Sequence, residues 1–170
     1  MKKLIIAAIA VLSFGAVSAQ NVKFGAKAGL DMGISSSTFD NVTVSSSESG
    51  FYVGGFAQIG VSEKFAIQPE LLYAKVKELG QVQIPILAKY SVSKEFSVLA
   101  GPELGFLLGD NLDLVKKFNY GLDLGASYDI TENFIIDARY NFGIANLVKD
   151  APSGIKSSLS NFQVGIGYRF

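Results

Sequence analysis

From Val22 onward, eight segments of the chain alternate apolar and polar side chains with period two. Successive side chains of a β-strand point to opposite faces, so this is the strand period. Val22, Phe24, Ala26, Ala28, Leu30, Met32 and Ile34 share one face, with Lys23, Gly25, Lys27, Gly29, Asp31 and Gly33 between them. Seven more segments follow: Phe51 to Val61, Phe65 to Lys75, Gln81 to Ser91, Phe96 to Leu108, Phe118 to Ile130, Phe134 to Ile144 and Phe162 to Phe170. Each is about the 9–11 residues a tilted strand needs to cross a bilayer, or somewhat longer. Short polar connections (Ser62 to Lys64, Val92 to Glu95, Thr131 to Asn133) alternate with longer ones (Ser35 to Gly50, Gly109 to Lys117, Ala145 to Asn161). Val76 to Gly80 is the short exception on the long side. The pattern predicts an all-β fold, an eight-stranded antiparallel up-and-down transmembrane β-barrel with both termini periplasmic.

The first nineteen residues lie outside that pattern. Met1-Lys2-Lys3 is a positive start, Leu4 to Val17 is almost unbroken apolar sequence, and Val17-Ser18-Ala19 supplies small residues. This predicts a signal peptide over 1–19, cleaved after Ala19, and a barrel domain over 20–170. The apolar run is shorter than the roughly 20 residues of a spanning helix, which disfavours an anchor.

A soluble eight-stranded barrel also alternates, but with its apolar face inward. Three features point the other way. Most glycines share the polar face, as Gly25, Gly29 and Gly33 do, and Gly101 and Gly105. Glycine weakens a solvated strand, whereas a narrow lumen uses it to make room for long partners. Aromatic residues on the apolar face fall at both segment ends. Phe24, Tyr90, Phe96, Tyr128 and Phe134 lie near the short turns, and Phe51, Tyr73, Tyr120, Phe142 and Phe162 near the long connections. Two such belts match two membrane interfaces. The polar face carries Lys23, Lys27, Lys89, Arg139 and Arg169 against Asp31, Glu70, Glu103, Asp123 and Asp137. Equal numbers of each sign predict a lumen ion-pair network, built on Lys27, Asp31, Glu70, Lys89, Glu103, Asp123, Asp137 and Arg139. Pro69, Pro85 and Pro102 fall within strands and predict local bulges that shift the faces near Glu70 and Glu103.

Composition narrows the chemistry. The 170 residues include no Cys, His or Trp, and Lys plus Arg equal Asp plus Glu at 15 each. Nucleophilic triads, thiolate metal sites and a nucleic-acid face are therefore not expected, nor is any cofactor. Asp110 and Asp113 offer carboxylates to calcium at a loop tip, though solvated loop residues are the plainer reading. Glu70, Glu103 and Asp123 are read as ion-paired rather than as acid/base catalysts. The serine-rich stretch from Ser35 to Gly50 reads as a polar loop, with surface binding as its sharper alternative.

Several motifs resemble the PorT-like outer-membrane β-barrel family of Gram-negative bacteria: Gln68-Pro69-Glu70-Leu71-Leu72-Tyr73, Ile84-Pro85-Ile86-Leu87-Ala88-Lys89-Tyr90, Gly101-Pro102-Glu103-Leu104-Gly105, Asp137-Ala138-Arg139-Tyr140 and the terminal Gly165 to Phe170. The resemblance implies that the fold tolerates the three prolines. It also implies that the chain end, Tyr168 and Phe170, is read by the barrel-assembly machinery. The expected protein is a non-enzymatic integral protein of the cell outer membrane with a filled polar lumen. It contacts outer-membrane lipid and acts in the envelope or binds through extracellular loops. A narrow channel for small solutes or apolar molecules is one alternative; an accessory barrel of a secretion or gliding system is another.

Overall fold

The computed structural model describes residues 22–39, 42–109, 116–148 and 155–170. Residues 1–19, read above as a signal peptide cleaved after Ala19, and also Asp110 and Asp113, lie outside the described residues. Eight strands run in order: β1 Val22–Phe39, β2 Val42–Gly60, β3 Phe65–Val76, β4 Leu79–Ser91, β5 Phe96–Leu108, β6 Phe118–Asp129, β7 Phe134–Gly143 and β8 Ile155–Arg169. Each pairs antiparallel with its sequence neighbours, and β1 pairs with β8 to close the barrel. Closure leaves the wall without an edge strand, which is what a bilayer requires of a sheet.

The alternation sorts as the sequence predicts. Leu30, Leu71, Ile86, Leu122, Leu124, Val164 and Ile166 face outward and are exposed, between the two aromatic belts. Gln68, Gln83, Asn119, Asn161 and Gln163 face inward and are buried. The glycines on the polar face clear space for inward aromatics. A Cβ at Gly25 would collide with the Phe56 ring, and one at Gly165 with the Tyr52 hydroxyl.

The prolines do not produce bulges. Phe56 opposite Glu70 and Ile59 opposite Ile67 share one register; so do Pro69–Ile86 with Leu72–Gln83, and Pro85–Glu103 with Ala88–Ala100. Pairing lapses beside each proline and resumes unshifted. The energies account for this. A missing ladder hydrogen bond costs about 1 kcal/mol. A one-residue slip would turn the strand over and put carboxylates such as Glu70 into lipid, at about 3 kcal/mol for an acidic side chain at bilayer depth. The faces near Glu70 and Glu103 therefore keep their phase.

Ser35 to Gly50 is not a loop. β1 and β2 continue as a paired ribbon through Ser36 opposite Ser45 and Thr38 opposite Thr43, and β8 runs alongside β1 as far as Ile155 opposite Phe39. Hydroxyl pairs lace it: Ser36 with Ser45 at 2.9 Å and Thr38 with Thr43 at 3.0 Å. Val42 and Val44 stand exposed near its tip. The β3–β4 connection tightens to Lys77-Glu78, with Lys77 at φ 52°.

Candidate functional site

The interior is built by inward positions of all strands around Glu70. Its carboxylate accepts from Gln68 Nε2 on its own strand at 2.7 Å, from Lys27 Nζ on β1 at 3.3 Å and from Arg139 Nη1 on β7 at 2.8 Å. Lys27 also pairs with Asp137, which accepts a hydrogen bond from the Tyr52 hydroxyl at 3.3 Å. Arg139 reaches Asp123 at 3.9 Å and donates from Nε to Gln163 Oε1 at 2.8 Å. Gln163 Nε2 donates onward to Gln83 Oε1 at 2.8 Å and to Asp31 Oδ2 at 3.2 Å. The network thus crosses the lumen between opposite walls. Beside Lys27, Phe56, Gln68 and Ser127 a void of only about 10 Å³ remains. That is at the lower limit for one water.

Not all eight predicted network residues meet in one cluster. Lys27, Glu70, Asp123, Asp137 and Arg139 do. Lys89 sits near the short turns and pairs at 3.8 Å with Asp129, which also binds Arg169. Asp31 makes no ion pair among the described residues; its carboxylate accepts from Asn161 Nδ2 at 2.9 Å and from Gln163. Glu103 is buried beside Asp123, likewise without an ion pair. Lys23 is exposed rather than lumenal. The buried cations Lys27, Lys89, Arg139 and Arg169 are outnumbered by Asp31, Glu70, Glu103, Asp123 and Asp137.

Sequence reasoning missed the amide relays Gln83, Asn141, Asn161 and Gln163. Their signal is their inward position on a strand, and being uncharged they stand outside any balance of ion pairs. At the chain end, Phe170 N donates to Phe24 O at 2.9 Å, its ring lies 5.6 Å from Tyr168, and Tyr168 stacks edge-on against Phe134 at 5.0 Å.

A second feature opens at the end where β3 meets β4. A vestibule of about 350 Å³ has Asp31, Gln81 and Asn161 deep in its lining and Glu48, Lys77 and Glu78 nearer the β3–β4 turn. Ala74, Val76, Leu79 and Leu159 form apolar parts of its wall. Among the described residues no group of three His, Cys, Asp or Glu is placed to hold a metal ion.

A closed antiparallel wall with lipid-type residues outside and hydrogen-bonded charges inside defines a transmembrane β-barrel of the outer-membrane type. The chain belongs to the outer membrane protein beta-barrel domain family, whose model matches residues 5–170. No curated protein sequence matches it. Among solved structures, it is similar to the Neisserial surface protein A (TM-score 0.54, 17% identity, 86% of this chain and 97% of that one). It is also similar to OprG from Pseudomonas aeruginosa (0.48, 13%, 88% and 96%) and to Ail, the attachment invasion locus protein of Yersinia pestis (0.45, 15%, 85% and 98%). These likenesses concern the fold.

Proposed function

We propose that the chain is a non-enzymatic, non-conducting barrel of the cell outer membrane that acts by binding at its extracellular end. The observation that carries this reading is the lumen-crossing network from Lys27 through Glu70 and Arg139 to Gln163 and Asp31, with almost no free volume beside Lys27. An eight-stranded wall encloses just enough room for side chains to fill. The short turns share one end with both termini, which supports periplasmic termini and extracellular long connections. The proline-bearing motifs support a PorT-like placement within the family.

Reconstituted protein in planar bilayers tests the closed lumen. The expected result is no current above the lipid baseline. Discrete, reproducible conductance steps would overturn it in favour of a narrow channel. The terminal aromatic is read as an assembly signal for the barrel-assembly machinery. Deleting Phe170 should lower the folded barrel recovered from outer membranes several-fold in cells, while refolding into detergent proceeds normally. Undiminished insertion in cells would contradict this.

A further inference from the structure

We propose that the vestibule is a binding site for a compact, uncharged apolar molecule, an alkylbenzene being a simple example. The inference deepens the closed-lumen reading and rests on it, because a plugged lumen gives the cavity a floor. Its volume of about 350 Å³ falls within the range of small-ligand sites, roughly 300–1,000 Å³. The cavity is room that the chain clears and does not fill. Elsewhere the glycines on the polar face are pressed by a neighbour: a Cβ at Gly25, Gly29, Gly105 or Gly165 would lie 2.1–2.3 Å from another atom. Gly33, in the vestibule wall, differs. It is buried, yet a Cβ there would meet only Val76, at 3.5 Å, an ordinary contact. The space beside Gly33 is therefore taken by no described side chain. Protein interiors pack to the density of organic crystals, and the lumen beside Lys27 keeps to that with about 10 Å³ free.

The wall that a ligand would meet is carbon. Leu79 and Leu159 line the cavity and pack behind against Leu107, Ala145 and Leu147, a buried apolar cluster that holds them in place. Ala74 and Val76 line it from β3, and Ala74 belongs to a second buried cluster with Tyr52 and Leu72. The polar residues of the floor are closed to a ligand. Asp31, Gln81 and Asn161 are 0%, 4% and 2% exposed. Their hydrogen bonds run to Gln83, to Gln163 and between Asp31 and Asn161. At the rim Lys77 and Glu48 satisfy each other, while Ser35, Ser46 and Glu78 stand exposed to water. A charged ligand would lose its hydration in this cavity without gaining a partner. An apolar one gains by leaving water, and the wall asks for no hydrogen bond in return.

The test uses the mature full-length barrel in phospholipid nanodiscs, titrated with benzene, toluene and ethylbenzene and followed by amide NMR. Affinities are referred to the free aqueous concentration, and benzylammonium and benzoate are the charged comparators. The expected result is saturable shifts at Gly33, Leu79 and Gly80, with affinity rising about four-fold for each added carbon. Both ions should bind at least about ten-fold more weakly than toluene. Gly33→Leu fills the cavity from its wall. In that variant the saturable shifts at Leu79 and Gly80 should vanish, while the non-saturating shifts of lipid-facing residues persist. Shifts confined to lipid-facing residues, ions that bind as tightly as toluene, or saturable binding unchanged in Gly33→Leu would overturn the proposal. Should Gly33→Leu fail to fold, the order of the five compounds on the unaltered protein decides by itself. Conductance of the same preparation separates the two readings. Current together with saturable toluene binding overturns the closed lumen alone; silence together with no saturable binding overturns this proposal alone.

Discussion

Glu70 shows what holds the interior. It is fully enclosed, and Lys27 and Arg139 bring cations to it from strands on other parts of the wall. Removing one partner of a buried ion pair strands the other charge, at about 3–5 kcal/mol. Arg139→Ala should therefore destabilise the barrel by about that amount, because it leaves Glu70 with Lys27 alone and Asp123 with no cation. Urea unfolding of the refolded protein in lipid vesicles measures it. Adding Glu70→Gln to Arg139→Ala should restore part of the loss, since it removes the stranded charge. A loss below about 1 kcal/mol for the single variant would mean that the network is not what fixes the lumen. Charge was legible at this scale from strand periodicity alone. The partners were not, because period two gives the face of a residue and not its height. Lys89 was thus grouped with residues it does not reach.

The proline-bearing strands β3, β4 and β5 set the second scale. Their pairing lapses lie side by side, between Phe56–Glu70 and Ile59–Ile67, between Pro69–Ile86 and Leu72–Gln83, and between Pro85–Glu103 and Ala88–Ala100, and the register survives each one. Pro102 faces lipid. Replacing it by Val should supply the missing donor and a residue suited to a strand, so that stability stays level or rises by about 1 kcal/mol. A fall of more than about 2 kcal/mol in vesicle unfolding would show the ring to be required. The same scale explains where the sequence misled. The ribbon from Ser35 to Gly50 projects past the wall, where neither face is buried. Without a buried face there is no alternation, so its strands leave no periodic trace. Ladder loss alone favours bulges at the prolines. The cost of turning carboxylates toward lipid is larger and decides the outcome.

The whole molecule rests on one division: apolar side chains to the bilayer, polar side chains to a packed interior. That division was readable from alternation, the two aromatic belts and the placement of glycines. The vestibule was not, because it arises from the relative heights of β1, β3, β4 and β8. Since the chain has no cysteine, single cysteines report on each face without background. Leu87 and Ser127 are buried toward the lumen, and their neighbours Ala88 and Ala126 lie on the opposite face. Each is replaced by Cys in turn, and intact outer membranes are treated with a charged, membrane-impermeant thiosulfonate before and after denaturation. All four variants should resist labelling until the barrel is denatured. Labelling at 87 or 127 in the native membrane would contradict the filled lumen, and labelling at 88 or 126 would contradict the lipid-facing wall.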